Sequence, residues 1–146
     1  MPTVDELLQK KNDGFHTIDQ NATVMEAVKL MNDQGVGALV VTSKQKKLAG
    51  ILSERDVLRR VVAKGVDPAR TQVQQVMTRE VVRCTLSTEL HHVRQMMNKL
   101  HIRHIPVEDT QKGLCGMVSM RDLNTWQIHK DGLEIAYLTQ FVYGVA

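Results

Sequence analysis

Two short stretches carry the residue types best suited to chemistry: Ser53-Glu54-Arg55-Asp56 and Ser119-Met120-Arg121-Asp122. Each follows a glycine and two apolar residues, Gly50-Ile51-Leu52 and Gly116-Met117-Val118. Read as strand-to-helix turns, they set a Ser hydroxyl and unpaired backbone N–H groups at the positive end of a helix, where a phosphate can be held. The Asp carboxylate only accepts, so it can take hydrogen bonds from both hydroxyls of a sugar diol. Arg55 and Arg121 offer guanidinium groups to an anion, and Gly50 and Gly116 let another backbone come close. A plainer account reads Ser-x-x-Asp as a capping box, with each cap contributing about 1 kcal/mol. Capping alone calls for neither the Gly nor the Arg, yet both recur in both copies.

The elements that must position these turns are duplicated as well. Ala27, Met31, Val36 and Leu39-Val40-Val41 match Val93, Met97, Ile102 and Ile105-Pro106-Val107, and the two turns continue the match at a constant offset of 66 residues. A single register through helix, strand and loop marks an internal repeat. In the first copy Thr23-Val24-Met25-Glu26 opens a helix with a capping box, Val24, Ala27, Val28 and Met31 recur at helical spacing, and Gly35 stops it. Strands are expected over Val36 to Val41 and Leu48 to Leu52, with a helix from Ser53 to near Gly65. The second copy repeats this with a helix over about Thr88 to Lys99, strands at Ile102 to Val107 and Leu114 to Val118, and a helix after Ser119. Short strands near Thr17-Ile18 and Val81-Val82-Arg83 complete two βαββα units. Thr3-Val4-Asp5-Glu6 caps a short helix leading into the first unit, and Gln72 to Met77 forms its partner before the second. One unit is too small to bury its own faces, so two must share a core. The organisation expected is a first repeat with its N-terminal helix over 1–66, a second over 67–130, and an apolar helical tail over 131–146 suited to self-association.

The doubled Gly-x-x-Ser-x-Arg-Asp motif, together with Ile102-Arg103-His104-Ile105-Pro106-Val107, resembles the cystathionine β-synthase (CBS) domain pair, or Bateman module, over about Asp13 to Trp126. The resemblance implies an α+β fold of tandem βαββα repeats about a pseudo-two-fold axis, with two clefts that take adenosine ligands such as AMP, ADP, ATP or S-adenosylmethionine. It implies that Ser53, Asp56, Ser119 and Asp122 touch phosphate and ribose, and that Arg103 and His104, beside Pro106, reach phosphate. With Arg55 and Arg121 these are the expected ligand residues. At the positions matching Arg103, His104 and Pro106 the first repeat carries Gly37, Ala38 and Val40, so the two clefts should differ. The function expected is a regulatory, non-catalytic sensor of an adenine nucleotide. It needs no obligatory cofactor, accepts Mg2+ carried by phosphates, and forms a homodimer or acts on a regulated protein partner. A scaffold with vestigial clefts is the rival.

Other chemistries find less support. His91 and His92 are adjacent on a helix and diverge by about 100°, while His101 and His104 fall on opposite faces of a strand start, so no metal site is expected. No sequence feature gives Ser53 or Ser119 a base, and Cys84 and Cys115 sit in apolar stretches as buried thiols of a reducing compartment. The net charge is +3 and aromatics make up only 3%, which disfavours a nucleic-acid reader. Met1 to Lys10 shows no signal-peptide core and no apolar run approaches membrane length, so a cytoplasmic chain is expected.

Overall fold

The capping box at Thr23 forms: its hydroxyl accepts from the Glu26 N–H at 3.1 Å, and the Glu26 carboxylate accepts from the Thr23 N–H at 3.3 Å. From it helix α2 (Val24–Gln34) runs to Gly35, which closes it in the left-handed conformation at φ 65 and buries Val24, Ala27 and Met31 on one face. The computed structural model describes residues 1–11 and 14–130, so the expected tail helix over 131–146 lies outside them. Around α2 the first repeat places β1 (Thr17–Asp19), β2 (Ala38–Thr42) and β3 (Leu48–Ser53), then α3 (Glu54–Val57), which continues as a π-helical turn over Leu58–Val62. After the lead-in helix α4 (Val73–Val76), the second repeat places α5 (Leu90–Leu100), β4 (His104–Asp109), β5 (Gly113–Ser119) and α6 (Met120–Lys130). The remaining helix, α1 (Val4–Lys10), precedes the first repeat.

Strand β1 pairs parallel with β2, and β2 pairs antiparallel with β3; β4 and β5 form the matching antiparallel pair. The strand expected over Val81-Val82-Arg83 shrinks to one parallel bridge, Cys84 to Val107. The side chains of β2 alternate between two cores. Leu39 and Val41 pack with α2, while Ala38 and Val40 meet Ile51 and, from the other repeat, Met117. That second layer joins the two sheets, with Phe15, Leu48, Val81 and Leu114 at its margin. A sheet buried on both faces explains a near-continuous apolar run in place of strict alternation.

The lead-in helices exchange places. Val4 and Leu7 of α1 lie in the core of the second repeat, with Val93, Met97, Ile105 and Val118. Val73 and Val76 of α4 lie in the core of the first repeat. The backbone shows the same crossing: Leu90 N–H donates to the Pro2 carbonyl at 3.0 Å, and Val24 N–H to the Thr71 carbonyl at 2.8 Å. The sequence reading grouped α1 with the repeat it precedes; in the fold it seals the other one. Another backbone comes close at Gly50, as expected, whereas at Gly116 a side chain fills the space. A Cβ at Gly50 would stand 2.5 Å from the Thr78 carbonyl oxygen and 2.9 Å from Met77 Sδ, and one at Gly116 would stand 2.9 Å from Leu8 Cδ1. Each glycine makes room for the segment that crosses over from the other repeat.

Candidate functional site

Both turns fold as capping boxes, and this consumes most of the backbone donors. In the second, the Ser119 N–H donates to Asp122 Oδ2 at 2.8 Å and the Asp122 N–H to Ser119 Oγ at 3.0 Å. The Met120 N–H donates to the Arg103 carbonyl at 2.8 Å. In the first, Ser53 and Asp56 pair at 3.0 and 3.2 Å, and the Glu54 N–H donates to the Gly37 carbonyl at 3.0 Å. The expected row of unpaired helix-start N–H groups is therefore largely closed, which leaves an anion here mainly to side chains.

Beyond capping, the turns diverge. Asp56 is 8% exposed, and both its oxygens are engaged. Oδ2 serves the cap, Oδ1 accepts from Thr78 Oγ1 at 3.1 Å, and the Arg60 guanidinium stands 4.0 Å away. Arg60 is itself held by the carbonyls of Val76 and Met77, at 3.0 and 2.8 Å. Neither Ser53 nor Asp56 lines the groove that the second turn faces. Where the first repeat lacks a cation, an anion stands instead: the Glu54 carboxylate lies over Gly37, 2.6 Å from where a Cβ would be.

Asp122 faces a groove of about 2850 Å3 lined from both repeats. Its cap bond falls on Oδ2, as does its ion pair with Lys11 Nζ at 2.9 Å; Oδ1 takes no bond from any of the described residues. Lys11 also donates to the Met117 carbonyl at 3.0 Å. Ser119, Arg103, His104 and Arg121 line the same groove, and Arg55 joins them from the first repeat, its guanidinium 3.4 Å from the His101 carbonyl. Pro106 does not: it is buried in β4, where its carbonyl accepts from the Cys84 N–H at 3.0 Å. Of the nine expected residues, the fold gathers Arg55, Arg103, His104, Ser119, Arg121 and Asp122 at one groove and leaves Ser53, Asp56 and Pro106 out of it.

His104 has its pKa lowered from the usual 6.5, first by burial and then by the nearby charges of Lys11 and Arg103, with Asp122 opposing. It faces the groove as a neutral imidazole at pH 7. Lys11 is the residue that sequence reading missed. The signal for it in the sequence is the Lys10-Lys11 pair at the end of α1, a helix that sequence alone places with the first repeat. Burial pushes the Cys84 thiol up to about 12 and raises that of Cys115, so neither is an activated thiolate.

A family model described as the CBS domain matches residues 4–63 and 73–128. The chain belongs to the CBS-domain family. It is 39% identical over 126 residues to the CBS domain-containing protein CBSX3, mitochondrial, of Arabidopsis thaliana, a match spanning 84% of this chain but 61% of that relative's own length. Among solved structures, a protein with CBS domains from Burkholderia ambifaria is 34% identical, with a TM-score of 0.82 over 87% of this chain and 94% of the other. CBS domain protein PAE2072 from Pyrobaculum aerophilum, complexed with AMP, is 26% identical, with a TM-score of 0.74 over 82% of this chain and 88% of the other. The CBS domain pair of MJ0100, in complex with 5-methylthioadenosine and S-adenosyl-L-methionine, is 25% identical, with a TM-score of 0.77 over 89% of this chain and 98% of the other. The chain thus has the α+β fold of a CBS-domain pair.

Proposed function

We propose that the chain is a regulatory module that binds one adenosine nucleotide, of the AMP, ADP or ATP class, at the second-repeat turn. The observation that carries this reading is the difference between two turns of the same sequence pattern. Asp56 has both oxygens occupied, while Asp122 lines a groove and its Oδ1 takes no bond from the described residues. A ribose diol would donate to Asp122 Oδ1, leaving Oδ2 to the cap and to Lys11. Arg103, Arg121 and Lys11 would meet phosphate, and Mg2+ would arrive on the phosphates of a di- or triphosphate. The AMP and S-adenosyl-L-methionine complexes of the two neighbours support an adenosine ligand.

The groove draws residues from both repeats, so an occupant touches both at once. It biases their relative arrangement by its differential affinity for the alternatives, and a homodimer or regulated partner would read that bias. A thermal-shift panel of AMP, ADP, ATP and S-adenosylmethionine tests the reading. A ligand at 100 times its Kd stabilises by about 2.7 kcal/mol, or roughly 5–11 °C in Tm for a chain of this size. If no ligand in the panel shifts the midpoint, the scaffold reading replaces it.

A further inference from the structure

The two copies of the repeat differ most informatively at the start of their first long helices. Where the first repeat reads Thr23-Val24-Met25-Glu26, the second reads Glu89-Leu90-His91-His92. Both capping-box residues are replaced, and the apolar and helical pattern behind them is kept. The replacement N-cap does not cap: the Glu89 side chain makes no bond to the helix start. The Pro2 carbonyl takes the Leu90 N–H at 3.0 Å instead. Relieved of capping, the Glu89 carboxylate turns to His91 Nδ1 at 3.1 Å. The rings of His91 and His92 do not diverge as their sequence spacing predicts; their centroids stand 4.3 Å apart at an interplanar angle of 56°. One donor atom from each of the three residues falls within 4.8 Å of the other two.

We propose that Glu89, His91 and His92 form a surface site for Zn2+ on the first turn of α5. Two imidazole nitrogens and a carboxylate oxygen are the donor set of many three-ligand zinc sites, with the fourth position left to water or an outside ligand. Tetrahedral ligands with bonds near 2.1 Å lie roughly 3.4 Å apart, so the Glu89–His91 edge is already in place. His91 and His92 are exposed, so rotamer changes alone bring the rest together. The positive helix start opposes a cation, and the Glu89 carboxylate offsets it. The site lies apart from the nucleotide groove, which none of the three residues lines.

The test is calorimetric titration of ZnCl2 into the full chain, alongside Glu89→Thr/His92→Glu and His91→Ala. The double substitution removes the Glu89 and His92 donors and restores the first repeat's capping box, in which the carboxylate introduced at 92 is held by the N-cap N–H; its unfolding midpoint reports whether it folds. The expected result is saturable binding of one Zn2+, weakened at least about tenfold in both variants, with MgCl2 giving no heat because Mg2+ prefers an all-oxygen shell. Absence of Zn2+ binding to the native chain, a loss smaller than about tenfold in either variant, or equal binding of Mg2+ overturns the proposal.

Discussion

Exchanging each turn aspartate for alanine should separate structure from ligand binding. Asp56→Ala removes the acceptor for the Ser53 N–H and for Thr78 Oγ1, both partly buried, and takes the carboxylate from beside Arg60. Losing the cap costs about 1 kcal/mol. Stranding the Thr78 hydroxyl that donates to a charged acceptor costs about 1–3 kcal/mol more. Arg60 is half exposed and keeps its two carbonyl partners, so its share is discounted. The expected loss is about 2–4 kcal/mol, or roughly 6–12 °C in Tm at about 3 °C per kcal/mol for a chain of this length. Asp122→Ala removes one cap and one partly exposed ion pair, and Lys11 retains the Met117 carbonyl, so about 1–2 kcal/mol and roughly 3–6 °C are expected. Binding should sort the opposite way. By isothermal titration well below each midpoint, Asp56→Ala binds adenine nucleotide like the native chain and Asp122→Ala does not. An Asp122→Ala protein that binds with native affinity, or a folded Asp56→Ala protein that has lost binding, would refute the division of labour between the two turns.

Three further outcomes follow from the same geometry. Because burial lowers the His104 pKa, the unfolded chain takes up a proton near pH 6.5 that the folded chain refuses; stability is steady above that pH and declines as pH falls through 6.5 toward the folded value. Urea midpoints at pH 7.5 and 5.5 should show a larger acid loss for the native chain than for His104→Gln, and an equal or smaller loss contradicts this. His101 closes α5 at φ 56, the position that Gly35 takes in the first repeat, so His101→Gly should stabilise by about 1 kcal/mol in chemical denaturation, whereas a destabilised variant would deny the strain. Gly50→Ala drives a methyl into the Thr78 carbonyl and should cost about 1–3 kcal/mol, while Gly116→Ala meets only the movable end of Leu8 and should cost less; the reverse order in denaturant midpoints counts against the crossed packing.

Much of this architecture was legible because the duplication supplies its own control. A fixed offset of 66 residues located both βαββα units, and capping boxes at Thr23, Ser53 and Ser119 mark helix starts that the fold keeps. The unlike clefts were foreseeable from Gly37 and Ala38 against Arg103 and His104. The exchange of lead-in helices was not. Val4 and Leu7 carry the same apolar pattern whichever core receives them, and only the tertiary path chooses. That choice also decides what fills the space beside Gly50 and Gly116, and it brings Lys11 to Asp122. The closure of Asp56 escaped for a related reason, since Thr78 reaches it from 22 residues away and no local motif announces the contact. Strand β1 lacks a full counterpart because Val81 is drawn into the layer between the sheets and only Cys84 makes a bridge to β4.

In the proposed complex a ligand's sugar meets the second-repeat turn and not the first. A crystal structure of the chain grown with AMP tests this most directly. The expected result is one nucleotide per chain, its ribose hydroxyls on the Asp122 carboxylate and its phosphate among Lys11, Arg103 and Arg121, with the Asp56–Thr78 bond intact. A nucleotide seated against Asp56, with Thr78 displaced, would contradict it.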